Sequence, residues 1–140
     1  LKGRRNVDGG QQFTDESETV MSSTALTTAL RTGLALSLAG AGSAKVTKQQ
    51  SMLDSAKHLD YSTNAYRVIG AAELAGAAGL LAAPRFRFVG IAANLGAVGV
   101  LTGAVIEHLR AGDGPDVYAP AAVLDALAVL TLVRQLGDGN

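Results

Sequence analysis

Lys45, Arg67, Glu73, Glu107, His108 and Asp125 stand inside or at the ends of apolar stretches, where a charge is costly and therefore informative. An ionised carboxylate in hydrocarbon is strongly disfavoured unless it is paired, hydrated or protonated. Glu73 lies within YRVIGAAELAGAAGLLAA, and Asp125 about two turns inside the last apolar stretch. Lys45, Arg67 and His108 are the available partners. Two kinds of chemistry fit these residue types. One is a polar pocket of Lys45, Arg67, Glu73, His108 and Asp125, open to a polar-headed molecule such as a quinone, a lipid or an oxidised sulfur species. Glu73 and His108 would then donate and accept protons. The other is an ion-pair lock that fixes helix register. Charge within a span favours function, whereas charge near a span end can snorkel to water, so both readings stand.

The remaining polar residues have plainer readings. Glu107 and Arg110 fit solvated charges at a helix end, with Glu107 in range of His108 or Arg110. Arg31 lies toward the opposite face, where it would snorkel to phosphate. Asn94, in mid-span, is expected to bond a neighbouring backbone. Cysteine is absent, which removes disulfides, thiolate metal sites and thiol redox chemistry from this chain. The two histidines are far apart in sequence and make a weak metal set. There is no phosphate loop following a strand and no Ser-His-Asp spacing.

Four apolar stretches must position these groups: residues 25–46, 66–83, 88–109 and 117–136. Residues 88–106 carry no charge for nineteen positions, and at about 1.5 Å per residue they cross a ~30 Å hydrocarbon core. The expected fold is all-α, an integral membrane antiparallel four-helix bundle with a polar N-terminal tail and a long first loop. Alternating direction brings the ends carrying Lys45, Arg67, Glu73, His108 and Asp125 to one side. Pro84, Arg85 and Arg87 mark a turn at the headgroups, and AGDGPD a second one. In the first loop, Met52, Ala56 and Leu59 share a helical face, as in a short amphipathic helix capping the bundle or lying at the interface. Tyr61, Tyr66, Phe86, Phe88 and Tyr118 fall at span edges, where amphipathic rings favour the interface.

Residues 1–23 are polar and read as a disordered tail or an upstream extension, with residues 24–137 forming the membrane domain. Met21 opens MSSTALTTALRTGLALSLAG, which resembles a start followed by the first span. The same stretch also resembles a signal peptide with a small-residue exit, and cleavage there would still leave three spans. Small residues recur four apart at Ala35/Ala39, Gly40/Ala44, Ala72/Gly76, Ala75/Gly79 and Gly99/Gly103, a spacing that lets helix backbones approach. Twelve Lys+Arg balance twelve Asp+Glu, so no overall field points to nucleic acid. The Arg85/Arg87 turn favours cytoplasmic termini, and the Ala/Gly-rich composition a bacterial plasma membrane.

Three strings resemble the DoxX-like family of small four-helix membrane proteins. RTGLALSLAGAGSAKV matches the opening helix, with Arg at its start and Lys at its end. YRVIGAAELAGAAGLL fits the family's G-x-x-E-L-x-G-A-x-G-L pattern, and GAVIEHLRAGD fits the end of the third helix. The likeness covers residues 26–136. It implies a four-helix integral membrane protein, related to the small membrane subunit of a thiosulfate:quinone oxidoreductase and to a subunit of a redox-protective membrane complex. Family residues map onto Lys45, Glu73 and His108, with Arg67 beside them. The expected role is an accessory subunit of a larger membrane complex; the alternative is a quinone- or lipid-binding oxidoreductase component. No covalent cofactor or cofactor motif is present, so the sequence leans against autonomous catalysis. Membrane lipids and a homo- or hetero-oligomer are the expected partners.

Overall fold

The computed structural model describes residues 8–137, with side chains from residue 23 onward. Five helices follow in order: α1 (Asp8–Val46), α2 (Gln50–His58), α3 (Thr63–Ala82), α4 (Arg87–Ala111) and α5 (Pro115–Gly137). Among the described residues there is no strand.

The first helix starts at Asp8, ahead of the apolar stretch that opens near residue 25; residues 1–7 lie outside the described residues. Residues 11–32 hold no Gly or Pro, and lengthening an existing helix adds a hydrogen bond for each residue fixed. The other boundaries have local causes. Lys48 adopts a left-handed φ of 57° just after α1, and Asp60 a φ of 58° after α2. Ser62 caps α3 by accepting from the Ala65 N–H at 3.1 Å. Pro84 follows the end of α3. Gly112, at φ 79°, closes α4, and Pro115 opens α5. The helix expected in the first loop is α2, which buries Ala56.

α1 packs on α3, α3 on α4, α4 on α5, and α5 back on α1, while α2 sits against α3 and α1. Paired positions run in opposite directions. Gly42 meets Gly70 and Leu38 meets Gly76 between α1 and α3, and Gly79 meets Ala93 between α3 and α4. Neighbouring helices are therefore antiparallel. Their shared core is Leu34, Leu38, Leu80 and Leu101, with Ala35, Ala77, Ala97 and Ala128 filling between.

That core is thin because most of the bulk points outward. Val68, Leu81, Phe88, Leu95, Val123 and Val133 each expose more than half of their surface. In water such a mantle would be an aggregation surface, but in hydrocarbon it is solvated. α3, α4 and α5 are long and apolar enough to cross a membrane. α1 is not among them, although four such helices were expected. Its apolar stretch carries Arg31 and Lys45 and is diluted by Thr, Ser and Gly.

Candidate functional site

The site begins where α1 and α3 touch backbone to backbone. A Cβ on Gly42 would lie 2.6 Å from the Gly70 carbonyl, and one on Gly70 only 2.7 Å from the Lys45 Cβ. No side chain larger than hydrogen fits at either position without separating the helices. This approach places the Lys45 Nζ 2.9 Å from both carboxylate oxygens of Glu73. The pair is nearly removed from solvent, at 11% exposure for Lys45 and 6% for Glu73. Each charge is tolerated there because the other is present, and the two-oxygen geometry strengthens the attraction. The ring of Tyr66 covers the ammonium, its centroid 5.5 Å away, and adds a cation–π contact.

Beside the pair lies a cavity of about 400 Å³, within the size range of small-molecule sites. Its polar rim is Lys45, Glu73, Tyr66, Glu107 and His108. Ile69, Val100, Leu101, Ala104, Pro120 and Leu124 make its apolar wall, and Leu59 and Tyr61 close it from the first loop. The shape is amphipathic: a charged, hydrogen-bonding end continuous with a hydrocarbon-lined interior.

The roof is fastened at two points. The Ser55 and Tyr66 hydroxyls share a 2.9 Å hydrogen bond, which ties α2 to α3. Asp113 holds both histidines: its Oδ1 is 2.8 Å from His58 Nε2, and its Oδ2 2.6 Å from His108 Nδ1. Each imidazole donates an N–H to the carboxylate, whether neutral or protonated. The hydrogen bond from His108 is the chief influence holding the Asp113 carboxyl below its ordinary range, and that from His58 adds to it, against a desolvation effect that raises it. The left-handed Gly112 makes this bridge, because it folds the chain so that the Asp113 N–H reaches the His108 carbonyl at 3.0 Å.

The residues expected to share the pocket are divided by the structure. Lys45, Glu73 and His108 all line the cavity. Arg67 does not; it is exposed, in a separate outer groove with Val46, Asn64, Val68 and Ala71. Asp125 turns to the α4–α5 contact, where its Oδ2 accepts from the Thr102 hydroxyl at 2.8 Å and its buried Oδ1 has no partner. Glu107 pairs with Arg110 at 2.7 Å. Asn94 is wholly buried and bonds α5: with its amide oxygen toward the Leu132 N–H (2.9 Å), its nitrogen reaches the Ala128 carbonyl (3.2 Å).

Asp113, His58 and Tyr66 were missed as site residues. A signal existed for the first, since HLRAGD sets a glycine just before an acid, five residues after a histidine. His58 and Tyr66 carry no comparable local sign. Among the described residues, no group of three or more His, Cys, Asp and Glu is arranged to hold a metal ion.

Three long apolar helices, an outward-facing hydrophobic mantle and a charged pair buried between helices define a multi-pass membrane protein of the small helical-bundle type. The sequence profile of the DoxX-like family matches residues 29–131, and the chain belongs to that family. No curated protein and no solved structure matches it.

Proposed function

We propose that this DoxX-like protein spans the membrane four times, α1 included, and binds an amphipathic molecule in the cavity beside Lys45 and Glu73. The observation that carries the reading is the cavity itself: a volume of about 400 Å³ with a charged pair at one end and an aliphatic wall beyond it. A quinone or lipid head would place its oxygens at the Lys45 ammonium and the Tyr66 hydroxyl, with its tail along Leu101 and Leu124. Glu73 supplies an acceptor for a hydroxyl, and His108 at the rim offers a route for a proton. With cytoplasmic termini the cavity faces the far leaflet.

A second reading, an accessory subunit of a larger membrane complex, is favoured by a different feature. Between α3 and α4 lies an outward groove floored by Ala72, Ala75, Gly76, Ala92, Ala93 and Gly96, small residues against which another helix packs closely. Native mass spectrometry of the protein, extracted from its own membrane in mild detergent, separates the two. A retained mass the size of a quinone or lipid supports the cavity reading. A co-purifying protein with an empty cavity supports the subunit reading.

A further inference from the structure

At the end of the bundle opposite the cavity, α1, the α3–α4 turn and the ends of α4 and α5 enclose a polar recess of about 250 Å³, lined by Thr27, Arg31, Ala83, Pro84, Arg87 and Gln135. Arg31 is about 21 Å along α1 from Lys45, at the level where the turn carrying Pro84 and Arg85 emerges. We propose that this recess is a binding site for the phosphate of an anionic phospholipid, held by the guanidinium groups of Arg31 and Arg87. The proposal stands apart from the cavity reading and shares no residue with it.

Three observations support an anion here. First, among the described residues every ion pair involves Lys45, His58, His108 or Arg110; none reaches Arg31, Arg85, Arg87 or Arg134. Arg31 is half-buried and Arg87 exposed, so two guanidiniums line one partly enclosed recess that an external anion can reach, and no carboxylate lines it. Second, Arg87 is pinned: its Nη2 donates to the Gln135 backbone carbonyl at 3.3 Å, which fixes the guanidinium at the recess and leaves its other N–H groups available. Third, Arg87 is the first residue of α4, and Phe86 before it supplies no side-chain cap, so the opening N–H groups of that helix lack an internal acceptor.

The source of the anion follows from depth and charge. The exposed apolar side chains of Phe86, Phe88 and Leu136 surround this end and belong in lipid. A phospholipid can therefore lay its chains on them while its phosphate enters the recess. A zwitterionic head brings its own cation and gains little from two arginines, whereas an anionic head brings net charge, and the guanidinium fork matches its phosphate oxygens.

The test is native mass spectrometry of the full chain after incubation with equal amounts of phosphatidylglycerol and phosphatidylcholine. Wild type should retain the anionic lipid preferentially. Arg31→Gln and Arg87→Gln should each lower that preference by about five-fold. Arg110→Gln, at the other end and already paired with Glu107, should not. Where a neutral variant fails to fold, the Lys variant at the same position keeps charge without the fork, and its retention should fall between wild type and none. Equal retention of the two lipids by wild type, or unchanged preference in the variants, overturns the proposal. So does inorganic phosphate raising the melting temperature of the delipidated protein as much as phosphatidylglycerol does, since the recess would then serve a free anion.

Discussion

Glu73 presents both carboxylate oxygens to one ammonium in a nearly dry site, so removing either partner strands the other. Glu73→Gln leaves the Lys45 charge buried without compensation and should destabilise the fold by about 3–5 kcal/mol. Lys45→Met combined with Glu73→Gln removes both charges and should recover much of that loss. Thermal unfolding of the three proteins in one detergent checks this, and equal losses in the single and double variants would contradict a coupled pair. Beside it, Gly42→Ala forces α1 away from α3 and should cost about 1–3 kcal/mol, as overpacking does. Gly40→Ala should be nearly neutral, because its Cβ meets nothing within 4 Å. That contrast shows what was legible at this scale. Spacing four apart singled out Gly79, which does meet Ala93, but also Gly40, Gly99 and Gly103, all with open space, and it passed over Gly42 and Gly70, where the α1 and α3 backbones meet. Small-residue spacing gives a competent face, but the rotational phase of each helix decides which face is used. The same phase separates Arg67 from Glu73 although both lie on α3.

The short helix α2 and the turn between α4 and α5 act together, because Asp113 binds a histidine from each side. Asp113→Ala should release α2 from the α4 end while leaving its Ser55–Tyr66 contact, and hydrogen exchange should accelerate across residues 50–58 relative to the spans. The pH dependence has a defined sign. The folded carboxyl titrates below its unfolded value of about 3.9, so the bridge contributes stability above that value and loses it as pH falls through the lowered folded one. In Asp113→Ala this acid-side increment should be missing from a melting-temperature profile, and an unchanged profile would count against the bridge. Two boundaries were legible from chemistry, Pro84 as a stop and AGDGPD as the turn after α4, whereas α3 and α5 begin a few residues before the apolar stretches, at the Ser62 cap and at Pro115. The beginning of α1 was not legible, because no residue from 11 to 32 breaks a helix and the change from polar to apolar sequence near residue 25 marks a span edge rather than a helix end.

Across the whole molecule, the apolar mantle and the three long apolar helices give the membrane reading. The chain has no cysteine, so single substitutions report topology without background. Ser51→Cys on α2 and Arg85→Cys in the α3–α4 turn should label from opposite sides in intact cells, with Ser51→Cys accessible outside if the termini are cytoplasmic. Labelling from the same side would refute the four-span arrangement. Helix order and family were readable because apolar length and the G-x-x-E-L pattern are local, and alternating helix direction brought Lys45, Glu73 and His108 to one end, whereas the full lining of the cavity depends on five segments meeting and needs three dimensions. The cavity is also where the account is most exposed. Gly103 lines it and a Cβ there meets nothing within 4 Å, so Gly103→Leu should fill the space without disturbing the bundle. Native mass spectrometry should find wild type carrying one quinone- or lipid-sized molecule per chain and Gly103→Leu, with the same melting temperature, carrying none. Wild type and Gly103→Leu retaining the same mass, or neither retaining any, would contradict the assignment of this cavity as a binding site.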